Sequence, residues 1–154
     1  MIEVGQKAPD FELLDNKGEQ VSLSALQGKV VVLFFYPKAD TPGCTIEACA
    51  FRDSQGSFEE ANAVILGVSA DNQMDQGLFA KKFNLPFRLL CDTEHTVADA
   101  YGTWIEKNNY GKKSMGVRRS TFIVGKDGNI AKIFPKVNVE GHSKEVLEAV
   151  TQLS

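Results

Sequence analysis

The sequence predicts an α/β domain in which a central mixed β-sheet is flanked by helices and preceded by a β-hairpin. Three observations carry this. Residues 29–36, Lys-Val-Val-Val-Leu-Phe-Phe-Tyr, are a continuous β-branched and aromatic run, the pattern of a strand buried on both faces. A second such run at 63–69 follows a segment of helical composition, which makes a β-α-β unit. Near the end, two apolar runs flank Lys126-Asp127-Gly128-Asn129, whose Asp-Gly pair marks a tight hairpin.

In chain order, 11–14 and 20–23 are separated by Asp15-Asn16-Lys17-Gly18 and form the N-terminal hairpin. Strand 29–36 takes the centre of the sheet, and 44–58 is a helix. Strand 63–69, helix 74–83 and strand 87–90 continue the alternation. Helix 96–101 follows, with Asp99 placed for a capping box. Residues 104–119 carry Lys107, Lys112, Lys113, Arg118 and Arg119 against Glu106. They read as a solvated loop or as a docking surface for an acidic thiol-disulfide partner. Strands 120–124 and 130–134 make the second hairpin, and 143–153 is an amphipathic helix. No repeat, low-complexity tract or Pro/Gly/Ser-rich linker interrupts the chain, so 1–154 reads as a single domain.

Composition narrows the function. A chain of 154 residues with 43% hydrophobic and 24% charged residues buries roughly 70% of its unfolded surface, so the three cysteines are not needed as a framework. A net charge of −3 with no run of five like charges argues against a nucleic-acid groove or an anionic membrane surface. The longest apolar stretch, 30–36, is far short of the roughly 20 residues that cross a bilayer. The start of the chain has no basic segment followed by an apolar one. The expected compartment is therefore the cytoplasm, although an organelle form that had lost a transit peptide would read the same. In that reducing setting an odd number of cysteines points to a reactive, metal-binding or inert thiol. A zinc site would need paired Cys/His spacing, which His95 and His142 do not supply. Both histidines read as surface or capping residues.

In open α/β sheets, ligands gather at the carboxyl ends of the strands. There the chain reads Tyr36-Pro37-Lys38-Ala39-Asp40-Thr41-Pro42-Gly43-Cys44-Thr45-Ile46-Glu47-Ala48-Cys49. Pro42 disfavours α geometry at Thr41, which places Cys44 in or near the first turn of a helix. Free N–H groups and the helix dipole stabilise an anion at that location, moving a thiol's pKa from about 8.5 towards 6. Cys49 follows five positions later, which on a helix means roughly 9 Å between Cα atoms and about 140° of rotation. A disulfide requires less than about 7 Å. If the two thiols react, the first turns of the helix must unwind. Cys91, at the end of Phe87-Arg88-Leu89-Leu90, reads as inert core.

These residues resemble a known family. Pro37-x-x-x-Thr41-x-x-Cys44 is similar to the active-site motif of peroxiredoxins, and Cys44-Thr-x-Glu-Ala-Cys49 resembles their bacterioferritin-comigratory, or Q-type, branch. The similarity extends from Gly5-x-x-Ala-Pro-x-Phe11 through Gly67-Val-Ser-Ala-Asp71 to Arg119-Ser-Thr-Phe-Ile-Val124. It implies a thioredoxin-like fold and cofactor-free, metal-free reduction of hydrogen peroxide and organic hydroperoxides. It also implies a monomer recycled by thioredoxin or a related dithiol protein. On this resemblance Cys44 is the peroxidatic cysteine and Cys49 the resolving cysteine, with Thr41, Pro37 and Arg119 as supporting residues. Thr41, Arg119 and backbone N–H groups would direct hydrogen bonds at the departing oxygen, while Pro37 excludes water. The pattern favours Arg119 over Arg118, which is expected at the surface; Glu47 either orients an arginine or is a solvated carboxylate. Some members of the branch carry a resolving cysteine on helix 74–83, where this chain has Ala80 and no cysteine. Two other readings start from the same thiol: a thioredoxin-like thiol-disulfide oxidoreductase, which normally uses C-x-x-C, and a redox-sensing binding module.

Overall fold

In the computed structural model, which describes residues 2–153, the hairpin β1 (Glu12–Leu14) and β2 (Gln20–Ser22) leads into β3 (Val30–Phe35). Next come α1 (Pro42–Asp53), α2 (Gln55–Glu60), β4 (Ala63–Ser69), α3 (Gln73–Phe83), β5 (Arg88–Cys91) and α4 (Thr96–Ala100). The chain closes with β6 (Trp104–Asn109), β7 (Lys112–Val117), β8 (Ser120–Val124), β9 (Ile130–Phe134) and α5 (His142–Thr151). The main sheet has the order β5-β4-β3-β8-β9. Strand β3 runs parallel to β4 and antiparallel to β8, so the expected mixed sheet forms with 29–36 at its centre.

Alternation along β3 divides the core in two. Val30, Val32, Phe34 and Tyr36 pack with Phe51 of α1, Phe58 of α2, Phe79 of α3 and Val146 of α5. Val31, Leu33 and Phe35 face the opposite way, against Phe11, Val21, Val97, Tyr101 and Val117. Full burial of each such aromatic or aliphatic side chain stabilises the fold by about 1.5–3 kcal/mol. Close packing leaves no room at Gly67 of β4, where a Cβ would sit 2.8 Å from Leu89 and 2.9 Å from Phe34.

Three local expectations are corrected. The helix expected over 44–58 breaks at Ser54 into α1 and α2. The basic segment 104–119 is a hairpin rather than a loop, with Trp104 paired to Val117 and Glu106 to Met115. Asp99 does not cap α4 through its side chain. The Asp92 carboxylate does so instead, accepting from the N–H groups of Val97 at 3.2 Å and Ala98 at 2.8 Å. Two charge-assisted bonds from a buried acid supply what the short helix lacks in length.

Buried polar groups at the carboxyl ends of β3, β4 and β5 form one network. Tyr36 donates its hydroxyl proton to Gln76, and the Gln76 amide donates to Ser69 Oγ and to the Leu90 carbonyl, both at 2.9 Å. Ser69 in turn donates to Asp71 at 2.6 Å. The Asp71 carboxylate also accepts the Ala39 N–H at 2.7 Å. This ties the loop after β3 to the neighbouring strand and fixes the approach to α1.

Candidate active site

Thr41 is the N-cap of α1 with extended backbone (φ −95°, ψ 157°), and Pro42 opens the helix. Proline is suited to that position, because its fixed φ is helical and its missing N–H would have had no partner there. The first backbone bond of the helix runs from the Thr45 N–H to the Thr41 carbonyl at 2.8 Å. Cys44 thus sits in the first turn, as expected, where helical N–H groups lie ahead of the hydrogen-bonded ladder. Its side chain is buried. The Thr41 hydroxyl donates to the Lys38 carbonyl at 2.8 Å and makes no side-chain cap. Pro37 is half-buried just beyond β3. The loop between them is further held by Lys82 to Asp40 at 2.9 Å, an exposed pair that adds little energy.

Arg119 closes the site from the link between β7 and β8. Its Nη2 donates to Cys44 Sγ at 3.3 Å and its Nη1 to Glu47 Oε1 at 2.8 Å. Burial works against the guanidinium charge, but Cys44 and Glu47 outweigh it and raise the Arg119 pKa. Lys107 of β6 is shifted the other way, lowered by its own burial and by the nearby Arg119 charge. Gly43 lies directly under the guanidinium: a Cβ there would be 3.0 Å from Nη2. Of the two adjacent arginines, Arg119 is the one at the thiol. Arg118 is half-buried rather than exposed, with its backbone N–H on the Thr103 carbonyl at 2.7 Å and its Nε buried.

Glu47 is 1% exposed, so the surface alternative for it is excluded. Desolvation pushes its carboxyl from 4.5 up to about 7, and the Arg119 charge only partly offsets this. Behind it lies His142, the first residue of α5, which is also buried rather than at the surface. Its Nε2 is 2.8 Å from Thr121 Oγ1 and its Nδ1 is 2.6 Å from Glu145 Oε1. His95 is exposed and stacks flat on Trp104 at 4.0 Å. Sequence signals for both buried groups existed. Cys44, Glu47, Ala48 and Phe51 follow the i, i+3, i+4, i+7 spacing of one buried helix face, and His142 precedes Glu145 by three, one turn apart.

Cys49 lies on α1, half-buried. Ideal helical geometry sets its Cα roughly 9 Å from that of Cys44 and turns it to a different face, so helix and disulfide are mutually exclusive. Cys91 is also half-buried. Its thiol is pushed up to about 11 by desolvation, with the charges of Asp15 and Asp71 adding to it. Among the described residues, no group of three or more His, Cys, Asp or Glu converges in a way that could hold a metal ion. No helix among them is long and apolar enough to cross a membrane.

The family model described as AhpC/TSA matches residues 4–133 of the chain. Peroxiredoxin Bcp of Bacillus subtilis is 53% identical over 153 residues, spanning 99% of this chain and 98% of that protein. The Escherichia coli K12 protein of the same name is 40% identical over 146 residues, spanning 95% and 94%. Among solved structures, the bacterioferritin comigratory protein of Xanthomonas campestris, described for its alkyl peroxide reduction activity, superposes with a TM-score of 0.91. It shows 35% identity and covers 97% of this chain and 98% of that one.

Proposed function

The chain belongs to the AhpC/TSA family, among the Bcp/PrxQ peroxiredoxins with their thioredoxin-like fold, and on that premise we propose how its own residues carry out peroxide reduction. Cys44 thiolate attacks the terminal oxygen of a hydroperoxide. The S–O bond forms as the O–O bond breaks, and the alkoxide or hydroxide that leaves takes up a proton. Cys44 is then a sulfenic acid. Negative charge moves from sulfur to the departing oxygen during this step. The guanidinium of Arg119, 3.3 Å from the sulfur, is placed to follow that movement with a cation that cannot deprotonate. Thr41 and Pro37 shape the approach from the loop side.

The first turns of α1 then unwind, and the Cys49 thiol condenses with the sulfenic acid; a disulfide forms and water leaves. A dithiol protein of the thioredoxin type restores both thiols by exchange. Since Cys44 and Cys49 share one helix, the cycle needs no second copy of the chain. The substrates are hydrogen peroxide and organic hydroperoxides, a range supported by the alkyl peroxide reduction described for the X. campestris relative.

The observation that carries this reading is the buried thiol held with a glutamate on a single guanidinium. It is tested by intact-mass analysis after one equivalent of peroxide. Cys49→Ser should accumulate sulfenic or higher oxidised acid on Cys44, while Cys91→Ser should still form the 44–49 bridge. A bridge between Cys44 and Cys91 in the wild-type chain would overturn the assignment.

A further inference from the structure

Among the described residues, Glu47 Oε2 is fully buried and accepts no hydrogen bond. An unpartnered carboxylate oxygen away from water is costly. His142 Nε2 lies 4.0 Å from it. The opposite ring nitrogen, Nδ1, is 2.6 Å from Glu145 Oε1. An ionised carboxylate only accepts, so Nδ1 carries the proton in that bond. In the neutral ring Nε2 is then bare and accepts from the Thr121 hydroxyl at 2.8 Å. His142 Nε2, its lone pair engaged by Thr121, gives Glu47 Oε2 no favourable charge while the ring is neutral; a proton on Nε2 turns the ring into a cation 4.0 Å from that oxygen.

We propose that His142 is a positioning residue for peroxide reduction: backed by Glu145, it holds a proton opposite Glu47 and so keeps Glu47 charged as the partner that aims Arg119 at Cys44. The proposal rests on the peroxidatic role of Cys44 given above. The ring has little freedom to turn away, since Phe51 of α1 and Phe134 of β9 pack edge to face against it at 5.8 and 5.2 Å. The groups around the pair are few. Helix α1 presents Cys44 and Glu47, the link before β8 presents Arg119, and α5 presents Glu145. Lys107 on β6 acts on Arg119, β8 offers the uncharged Thr121, and β9 offers Phe134 with the Lys132 ammonium 5.6 Å from its ring centroid. Burial lowers the His142 pKa and raises that of Glu47 to about 7. Burial thus works against the charged form of each group, while a charge on either one supports the charge on the other.

The test is the pH dependence, from 5.5 to 9, of single-turnover oxidation of Cys44 by hydrogen peroxide, read by intact mass. In the wild type, the rate is expected to fall on acidification only when the pair takes a second proton and Glu47 becomes neutral. In His142→Phe, Glu47 must hold the proton itself. The fall should then begin at higher pH, leaving the variant about tenfold slower near pH 6, one unit below the value of about 7 for Glu47, equivalent to about 1.4 kcal/mol, with the deficit closing by pH 9. His142→Gln presents an amide donor to Oε2 without titrating and should return the profile to the wild-type position. Glu145→Gln, an exposed change that leaves the core intact, should move the profile in the same direction as His142→Phe but less far. A loss equal at every pH, or superimposable wild-type and His142→Phe profiles, overturns the proposal. If His142→Phe does not fold, a Glu145→Gln profile identical to wild type overturns it alone. Failure of wild-type Cys44 to react with peroxide at all would instead sink the parent reading.

Discussion

Glu47→Gln should make the folded protein more stable at neutral and alkaline pH and leave it unchanged in acid. Carrying a carboxyl from 4.5 to about 7 penalises its charged form in the native state by about 3 kcal/mol, at about 1.4 kcal/mol for each factor of ten. Because the folded value lies above the unfolded one, the native state binds the extra proton. The stability that proton contributes is complete below pH 4.5 and is lost as pH rises through 7. Glutamine mimics the protonated group at every pH: its carbonyl still accepts from Arg119 Nη1, and its amide can donate towards His142. The variant's advantage should therefore grow from near zero at pH 4.5 to about 3 kcal/mol at pH 8. Urea unfolding of the reduced protein across that range, followed by Trp104 fluorescence, measures the difference directly. A gap between the two proteins that stays constant with pH would refute the reasoning. The gain should be accompanied by slower oxidation of Cys44, since a neutral partner orients the guanidinium less firmly.

Gly43→Ala should also separate function from stability, and in the same sense. The added methyl meets Arg119 Nη2 at 3.0 Å and should displace the guanidinium from Cys44, slowing peroxide reduction by roughly 3- to 10-fold. In the same variant the helix should gain up to about 1 kcal/mol from the better helix former. Unchanged kinetics would show that the guanidinium position is not critical. Cys91, with its thiol pushed up to about 11, should resist iodoacetamide in the native protein at pH 8, where only about one molecule in a thousand is thiolate. Rapid labelling there would contradict the burial and the charges of Asp15 and Asp71 as its cause.

The main sheet was legible because its strands announce themselves: 30–36 and 63–68 are unbroken apolar runs, and Asp127-Gly128 marks its own turn. The hairpin of β6 and β7 was not. Its lysines and exposed Met115 hide any two-residue alternation, since neither strand belongs to the main sheet. The break at Ser54 has no proline to signal it. At the site, the helix start put Cys44 in the first turn, where it lies, whereas Arg119 was favoured over Arg118 by the family pattern alone. Glu47 and His142 were harder to read because burial is a tertiary property. A carboxylate on an otherwise apolar helix stripe, or a histidine after a glycine at a helix start, looks the same in sequence whether α5 covers it or water does. The cap of α4 shows a related failure. Asp99 has the right local spacing, but Asp92 reaches two backbone N–H groups from outside the helix.

Cys44 and Glu47 are three residues apart on one turn of α1 and grip the same arginine. Unwinding that carries both residues out of helical geometry therefore releases the sulfur and the carboxylate together. In the proposed cycle, the receptor for the oxidant and the opened helix are thus alternative arrangements of one turn.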